Sequence, residues 1–160
     1  MNFSLSSPVA ALLGVLLLAG TAHADGDDRT PPIQHPETLK ECGGCHMAYP
    51  PQMLPARSWE KLMGGLKEHF GENAQLDDGV RQSITTYLIA NAGDAGGRSW
   101  KFLRGVGADQ TPLRLSETPR WKREHDKPAI RQGLNDPKVG SAANCPACHA
   151  AAAKGDWELD

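Results

Sequence analysis

Two pentapeptides constrain this chain more than any other feature: Cys42-Gly43-Gly44-Cys45-His46 and Cys145-Pro146-Ala147-Cys148-His149. Each reads C-x-x-C-H, the attachment pattern of a c-type haem. On a helical segment, residues three and four apart share a face, so both thiols can reach the vinyl groups of one porphyrin while the following histidine approaches its iron. Two disulfides, or one zinc ion held by both pairs, would use the same cysteines. Neither accounts for the histidine after both pairs, and pairs 103 residues apart are far beyond zinc-ribbon spacing. The motifs therefore predict two covalently bound haem c groups, with Cys42, Cys45, Cys145 and Cys148 as thioether donors and His46 and His149 as proximal iron ligands.

Cofactors of that size also answer a shortage of core. Residues 1–24 carry an apolar stretch from Val9 to Ala19 and end in Ala22-His23-Ala24, so they read as a cleavable signal peptide. The stretch is too short for a comfortable membrane span. Residues 25–160 hold eleven Leu, four Ile, three Val and two Phe, about 15%, below the roughly 20% under which highly charged chains stay disordered. The net charge is only −2, and a chain short of aliphatic side chains folds when a large cofactor supplies apolar surface. An exported, periplasmic haem protein is expected, with no role in nucleic-acid binding.

Each iron needs a ligand on its second face, or an open position for a small molecule. The remaining histidines of the exported chain are His35, His69 and His125. The spacing of Trp59, Leu62, Leu66 and His69 predicts a helix from Ser58 to Phe70 with His69 facing inward. His125 follows Thr118-Pro119, an N-cap and first-turn pair, and is the spare histidine of the C-terminal half. His69 and His125 are thus the distal candidates. His35, between Pro32 and Pro36, is the runner-up; Met47, Met53 and Met63 compete for the first iron, although core packing is the commoner role of methionine. Two histidines on each iron make a closed electron carrier without a small-molecule substrate. The alternative is a haem enzyme or gas sensor with one open or labile iron.

The fold expectation is mainly α: a flexible lead-in at 25–35, an N-terminal haem domain at 36–95 and a C-terminal haem domain at 96–160, each built around its own haem. A helix from Pro36 through His46 carries the first motif, and a third helix starts after Asp77 or Asp78 and gives way to Asn91-Ala92-Gly93. Residues 93–99 mark a flexible junction. Beyond it, SWKFLRGV and TPLRLSETP leave room for a short β-hairpin. An alanine-rich helix from a Ser141 cap to Ala153 carries the second motif and stops at Gly155. A carbonyl of the Tyr49–Pro51 turn is the expected acceptor for His46 Nδ1–H, and another segment for His149. Residues 25–97 balance to −5 and residues 98–160 to +3; the basic run at 98–131 is either an ordinary solvated surface or a docking face for an acidic redox partner.

The segments ECGGCHMAYPP (41–51), LPARSW (54–59), HFGENA (69–74), REHD (123–126) and ANCPACH (143–149) resemble the small bacterial dihaem cytochromes c. The resemblance spans nearly all of the exported chain. It implies two c-type domains, each with one bis-histidine haem: His46 and His149 proximal, His69 and His125 distal. It also implies electron exchange with other cytochromes, such as a membrane b-type cytochrome as donor and an oxygen-binding monohaem cytochrome as acceptor.

Overall fold

The computed structural model describes residues 28–97 and 100–159. The expected signal peptide lies outside the described residues. Five short α-helices carry the described chain: α1 (Pro36–Cys42), α2 (Ala56–Gly64), α3 (Asp78–Ala90), α4 (Pro119–His125) and α5 (Pro128–Leu134). Single 3-10 turns join them, and among the described residues pairing of extended backbone is limited to isolated bridges. The mainly α expectation holds. Among these residues no helix is long and apolar enough to cross a membrane.

In the N-terminal half, α2 packs on α3 around Leu54, Trp59, Met63, Ile84, Leu88 and Ala92, all buried. The α3 residues fall at helical spacing, so one stripe of the helix meets α2. The Trp59 indole donates to the Pro51 carbonyl at 2.8 Å, satisfying its N–H inside the core. Helix α1 leans on α3 through His35, whose ring stacks on Tyr87 at 4.8 Å, and through Thr38, which is buried.

The C-terminal half has little aliphatic core: Met53, Ala152 and Trp157 are buried together, with Met47, Phe102, Leu115 and Cys145 against them. Met47 and Met53 come from the N-terminal half, so the two halves interlock. Arg57 reinforces the junction, donating to the carbonyls of Gln110 (2.6 Å) and Gly107 (2.8 Å) while pairing with Asp94.

Several boundaries differ from the sequence expectation. Helix α1 stops at Cys42 because Gly43 and Gly44 follow, and the motif continues as a turn. The Ser58–Phe70 helix ends at Gly64, where two glycines meet; a 3-10 turn, Leu66–Glu68, follows. The alanine-rich helix is absent: Cys145–Ala147 and Ala152–Lys154 are separate 3-10 turns, although Gly155 does end the second in the left-handed conformation. In place of the hairpin stand 3-10 turns at Lys101–Leu103 and Leu115–Glu117, the second followed at once by the Thr118 cap of α4. Short apolar runs with only partial alternation do not commit to a strand. The lead-in is pinned at residues 28–30. Thr30 N–H donates to the Gly155 carbonyl (2.7 Å), Trp157 N–H to the Asp28 carbonyl (2.9 Å), and the Asp28 carboxylate pairs with Arg120 and Lys101.

The expected flexibility of residues 93–99 does not extend to Gly93. Its N–H donates to the Leu54 carbonyl (3.0 Å), its carbonyl accepts from Trp100 (2.9 Å), and an added Cβ would fall 2.4 Å from the Gln52 carbonyl oxygen. Gly93→Ala should therefore destabilise the holoprotein by roughly 1–3 kcal/mol through overpacking. Gly79→Ala, in α3 with open space around the new methyl, should stabilise it by up to about 1 kcal/mol. Thermal unfolding checks both signs; equal effects would mean that Gly93 is not held as described.

Candidate haem-binding sites

The first site forms where the turn after α1 meets the loop after α2. Cys42 is half-buried and Cys45 exposed on that turn. Burial, and then the Glu41 charge, pushes the Cys42 thiol up, keeping it in the neutral form. His46 Nδ1 lies 2.7 Å from the Met47 carbonyl oxygen. A carbonyl can only accept, so Nδ1 carries the proton and Nε2 keeps a free lone pair. The acceptor is the residue next to the histidine and not the Tyr49–Pro51 turn, because the chain folds back immediately after His46.

His69 faces His46 with ring centroids 6.3 Å apart and planes at 24°. It stands beyond α2, at the end of the Leu66–Glu68 turn, and not on the helix expected for it. The next residue, Phe70, has φ +55°, in the left-handed region rarely occupied by aromatic residues, and the turn closes with His69 and Glu72 exchanging backbone hydrogen bonds (2.8 and 3.1 Å). Phe70 packs on the His69 ring at 4.8 Å, and the Arg114 guanidinium lies over the Phe70 ring at 3.8 Å. Burial, then the nearby His46 and Arg114, lowers the His69 pKa.

The second site is built from α4 and the C-terminal turns. Thr118 caps α4 by accepting from Trp121 N–H, and Pro119 opens it, as expected. His125 ends that helix, its Nδ1 2.8 Å from the Trp121 carbonyl oxygen and its ring stacked on the Trp121 indole at 4.2 Å and 7°. Burial, outweighing the Trp121 hydrogen bond, pushes its pKa below the ordinary histidine value. His149 follows the Cys145–Ala147 turn, and its N–H donates to the Cys145 carbonyl at 2.9 Å. Its Nδ1 lies 3.2 Å from the Glu158 carbonyl oxygen. That acceptor comes from the eleven residues after His149, because the Gly155 turn brings the terminus back. The His125 and His149 centroids are again 6.3 Å apart, with planes at 64°. A mainly apolar cavity of about 580 Å³ opens between them, lined by Cys145, Cys148, Phe102, Trp121, Leu134 and Trp157 among others.

These arrangements fit haem. An imidazole nitrogen sits about 2 Å from a first-row metal and about 1.1 Å from its ring centre, so two rings on opposite sides of one metal have centroids about 6.2 Å apart, close to the 6.3 Å seen here. Each pair offers two donors, as a metal already held by a porphyrin requires. Among the described residues no group of three or more His, Cys, Asp or Glu converges to chelate a bare ion, and the four cysteines are unpaired.

His35 and Met63, two of the competing ligands, are engaged elsewhere. His35 caps α1, its Nδ1 accepting from Thr38 N–H (3.3 Å) while Nε2 lies 3.3 Å from the Ser83 hydroxyl. Met63 is buried in the α2–α3 core, and Met53 packs with Ala152 and Trp157. Of the basic run, Lys101 and Arg120 are tied to Asp28, and Arg131 pairs with Asp126 at 3.3 Å; Arg98 lies outside the described residues.

Sequence reasoning missed Tyr49, whose ring stacks on His46 at 5.0 Å, and Asp28, which lies in the presumed lead-in. The Trp121–His125 stack was accessible, since residues four apart share a helix face.

Comparison with known proteins agrees with this geometry. The dihaem cytochrome c family matches residues 38–157. A diheme cytochrome c from Rhodobacter sphaeroides is 45% identical, with a TM-score of 0.71 over 79% of this chain and 99% of that one. A second structure from the same organism is 43% identical (TM-score 0.63; 78% and 98%). The diheme cytochrome type c from Shewanella baltica OS155 is 36% identical (TM-score 0.64; 79% and 89%). No curated protein matches the chain. The chain belongs to the dihaem cytochrome c family, electron-transfer proteins with two covalently bound c-type haems.

Proposed function

We propose that this chain is an exported electron carrier in which two histidines hold each iron. His46 and His69 serve the haem attached at Cys42 and Cys45; His149 and His125 serve the haem attached at Cys145 and Cys148. The observation that carries the reading is the shared 6.3 Å centroid separation of both pairs, the spacing that two axial imidazoles require. The division into a domain at 36–95 and another at 96–160 assigns one pair to each. The apolar leader at 1–24 supports export to the periplasm. There it exchanges electrons with other cytochromes, a membrane b-type cytochrome being a suitable donor and an oxygen-binding monohaem cytochrome a suitable acceptor.

The haem iron supplies one-electron chemistry between its ferric and ferrous states. The protein's own residues do the rest. The carbonyls of Met47, Trp121 and Glu158 hold three imidazoles with Nδ1 protonated and Nε2 available. Phe70 packs on His69 and Trp121 stacks on His125, which limits water on those faces of the ligands. With a histidine facing each proximal ligand, no iron coordination site is left for a substrate, which favours a carrier over an enzyme or gas sensor.

His69→Ala and His125→Ala should each convert one of the two haems to a high-spin form that binds carbon monoxide when ferrous, while His35→Ala leaves both low-spin. Optical titration with carbon monoxide checks this; an unaltered low-spin spectrum in His69→Ala would remove that residue as a ligand.

Acid should act in a definite direction. The folded-state pKa values of His69 and His125 lie below the unfolded value of about 6.5, so the unfolded chain binds more protons in the interval between. The stability gained is complete above pH ~6.5 and is lost as pH falls through the folded values. Guanidinium midpoints of the holoprotein should fall on acidification from pH 7 to 5, and a rising midpoint would contradict the assignment.

A further inference from the structure

We propose that Tyr49 is the bridge through which an electron passes between the two haem centres; this rests on the ligand reading above. Tyr49 lies three residues after His46, on the loop that leaves the first motif. Its ring stacks on the His46 imidazole, with centroids 5.0 Å apart and planes at 28°. Its hydroxyl crosses into the other half and donates to the Ala143 carbonyl at 2.7 Å, two residues before Cys145. The same hydroxyl lies beside the Cys145 side chain. One side chain therefore touches an axial ligand of the first iron and the attachment segment of the second haem, over 94 residues of sequence.

The chemistry of the residue suits the task. Electron tunnelling passes more readily through covalent bonds and hydrogen bonds than across van der Waals gaps. The Tyr49 route contains one ring contact and one short hydrogen bond. The Met47 side chain also packs towards the second core, around Met53, Ala152 and Trp157, but it offers only van der Waals contact to that cluster. In the transfer one electron leaves one iron and arrives at the other. No bond of Tyr49 breaks, and its proton remains on the phenol oxygen.

The test uses holoprotein reduced by less than one electron per molecule with a light pulse. The phase whose rate is independent of protein concentration reports exchange between the haems, and both reduction potentials are measured alongside. Tyr49→Phe keeps the ring stack and removes the hydrogen bond, and should slow that phase about threefold; Tyr49→Leu removes both contacts and should slow it about tenfold or more. Tyr87→Phe, which removes a tyrosine hydroxyl at the His35 stack instead, should leave it unchanged. A purely structural role for Tyr49 would alter thermal stability but not this graded order. Native rates in Tyr49→Phe at unaltered potentials would overturn the proposal, even if Tyr49→Leu fails to load haem. The ground-state spectrum keeps the two readings apart: loss of bis-histidine signals in the native protein defeats the ligand assignment, whereas intact signals with an unresponsive rate defeat the bridge alone.

Discussion

The structure turns on one distance, the 6.3 Å separation of two facing imidazole rings, which is the spacing the proposed pair of ligands on one iron requires. It occurs twice, and the chain reaches it by opposite routes. In the N-terminal half the motif histidine comes first and its partner follows 23 residues later; in the C-terminal half the partner comes first and the motif histidine follows 24 residues later. The partner histidines stand at the Leu66–Glu68 turn after α2 and at the end of α4; the first motif starts on the last residue of α1 and continues as a turn, and the second begins on a 3-10 turn. Helix packing alone could not hold the C-terminal half, where the buried apolar residues among those described are Leu103, Ala152 and Trp157. Haem must supply the missing core, and the cavity of about 580 Å³ beside Cys145 and His149 is where that apolar surface enters.

The two sites reach the same spacing with unequal rigidity. His125 is fixed by its helix, by the Trp121 carbonyl and by the face of the Trp121 indole. His69 stands in a loop beside a left-handed Phe70, and its ring finds no hydrogen-bond acceptor among the described residues. Its hold comes from packing against Phe70, over which Arg114 lies. The ring planes differ as well, 24° at the first site and 64° at the second. Two haems in so small a protein therefore need not be equivalent, and ligand orientation and burial are recognised means of setting a potential.

The site was more legible in the sequence than the fold. A cysteine pair followed by histidine has few chemical uses, so the haem anchors could be read directly, and helix spacing and position favoured His69 and His125 over His35 as the expected partners. Helices with strong start signals were also legible: Thr118-Pro119 opens α4 and Asp77 precedes α3, as read. Two of the misplaced helix ends had a common cause, the assumption that apolar periodicity continues through glycine. Gly64-Gly65 ended α2 before His69, and Gly43-Gly44 ended α1 before the motif was complete. Contacts distant in sequence left no local trace. Asp28 pinned by Arg120, Met47 and Met53 packed into the second core, and the Tyr49 hydroxyl on Ala143 all depend on how the halves dock.

Low-temperature EPR of the fully oxidised holoprotein tests the central claim most directly. Near-parallel imidazole planes separate the iron orbital energies and give a rhombic low-spin signal, whereas strongly crossed planes bring two orbitals close and give a highly anisotropic one. With planes at 24° and 64°, the account predicts two low-spin signals of equal intensity and different shape, one of each kind. A high-spin component, or the signature of a methionine ligand at either iron, would contradict it.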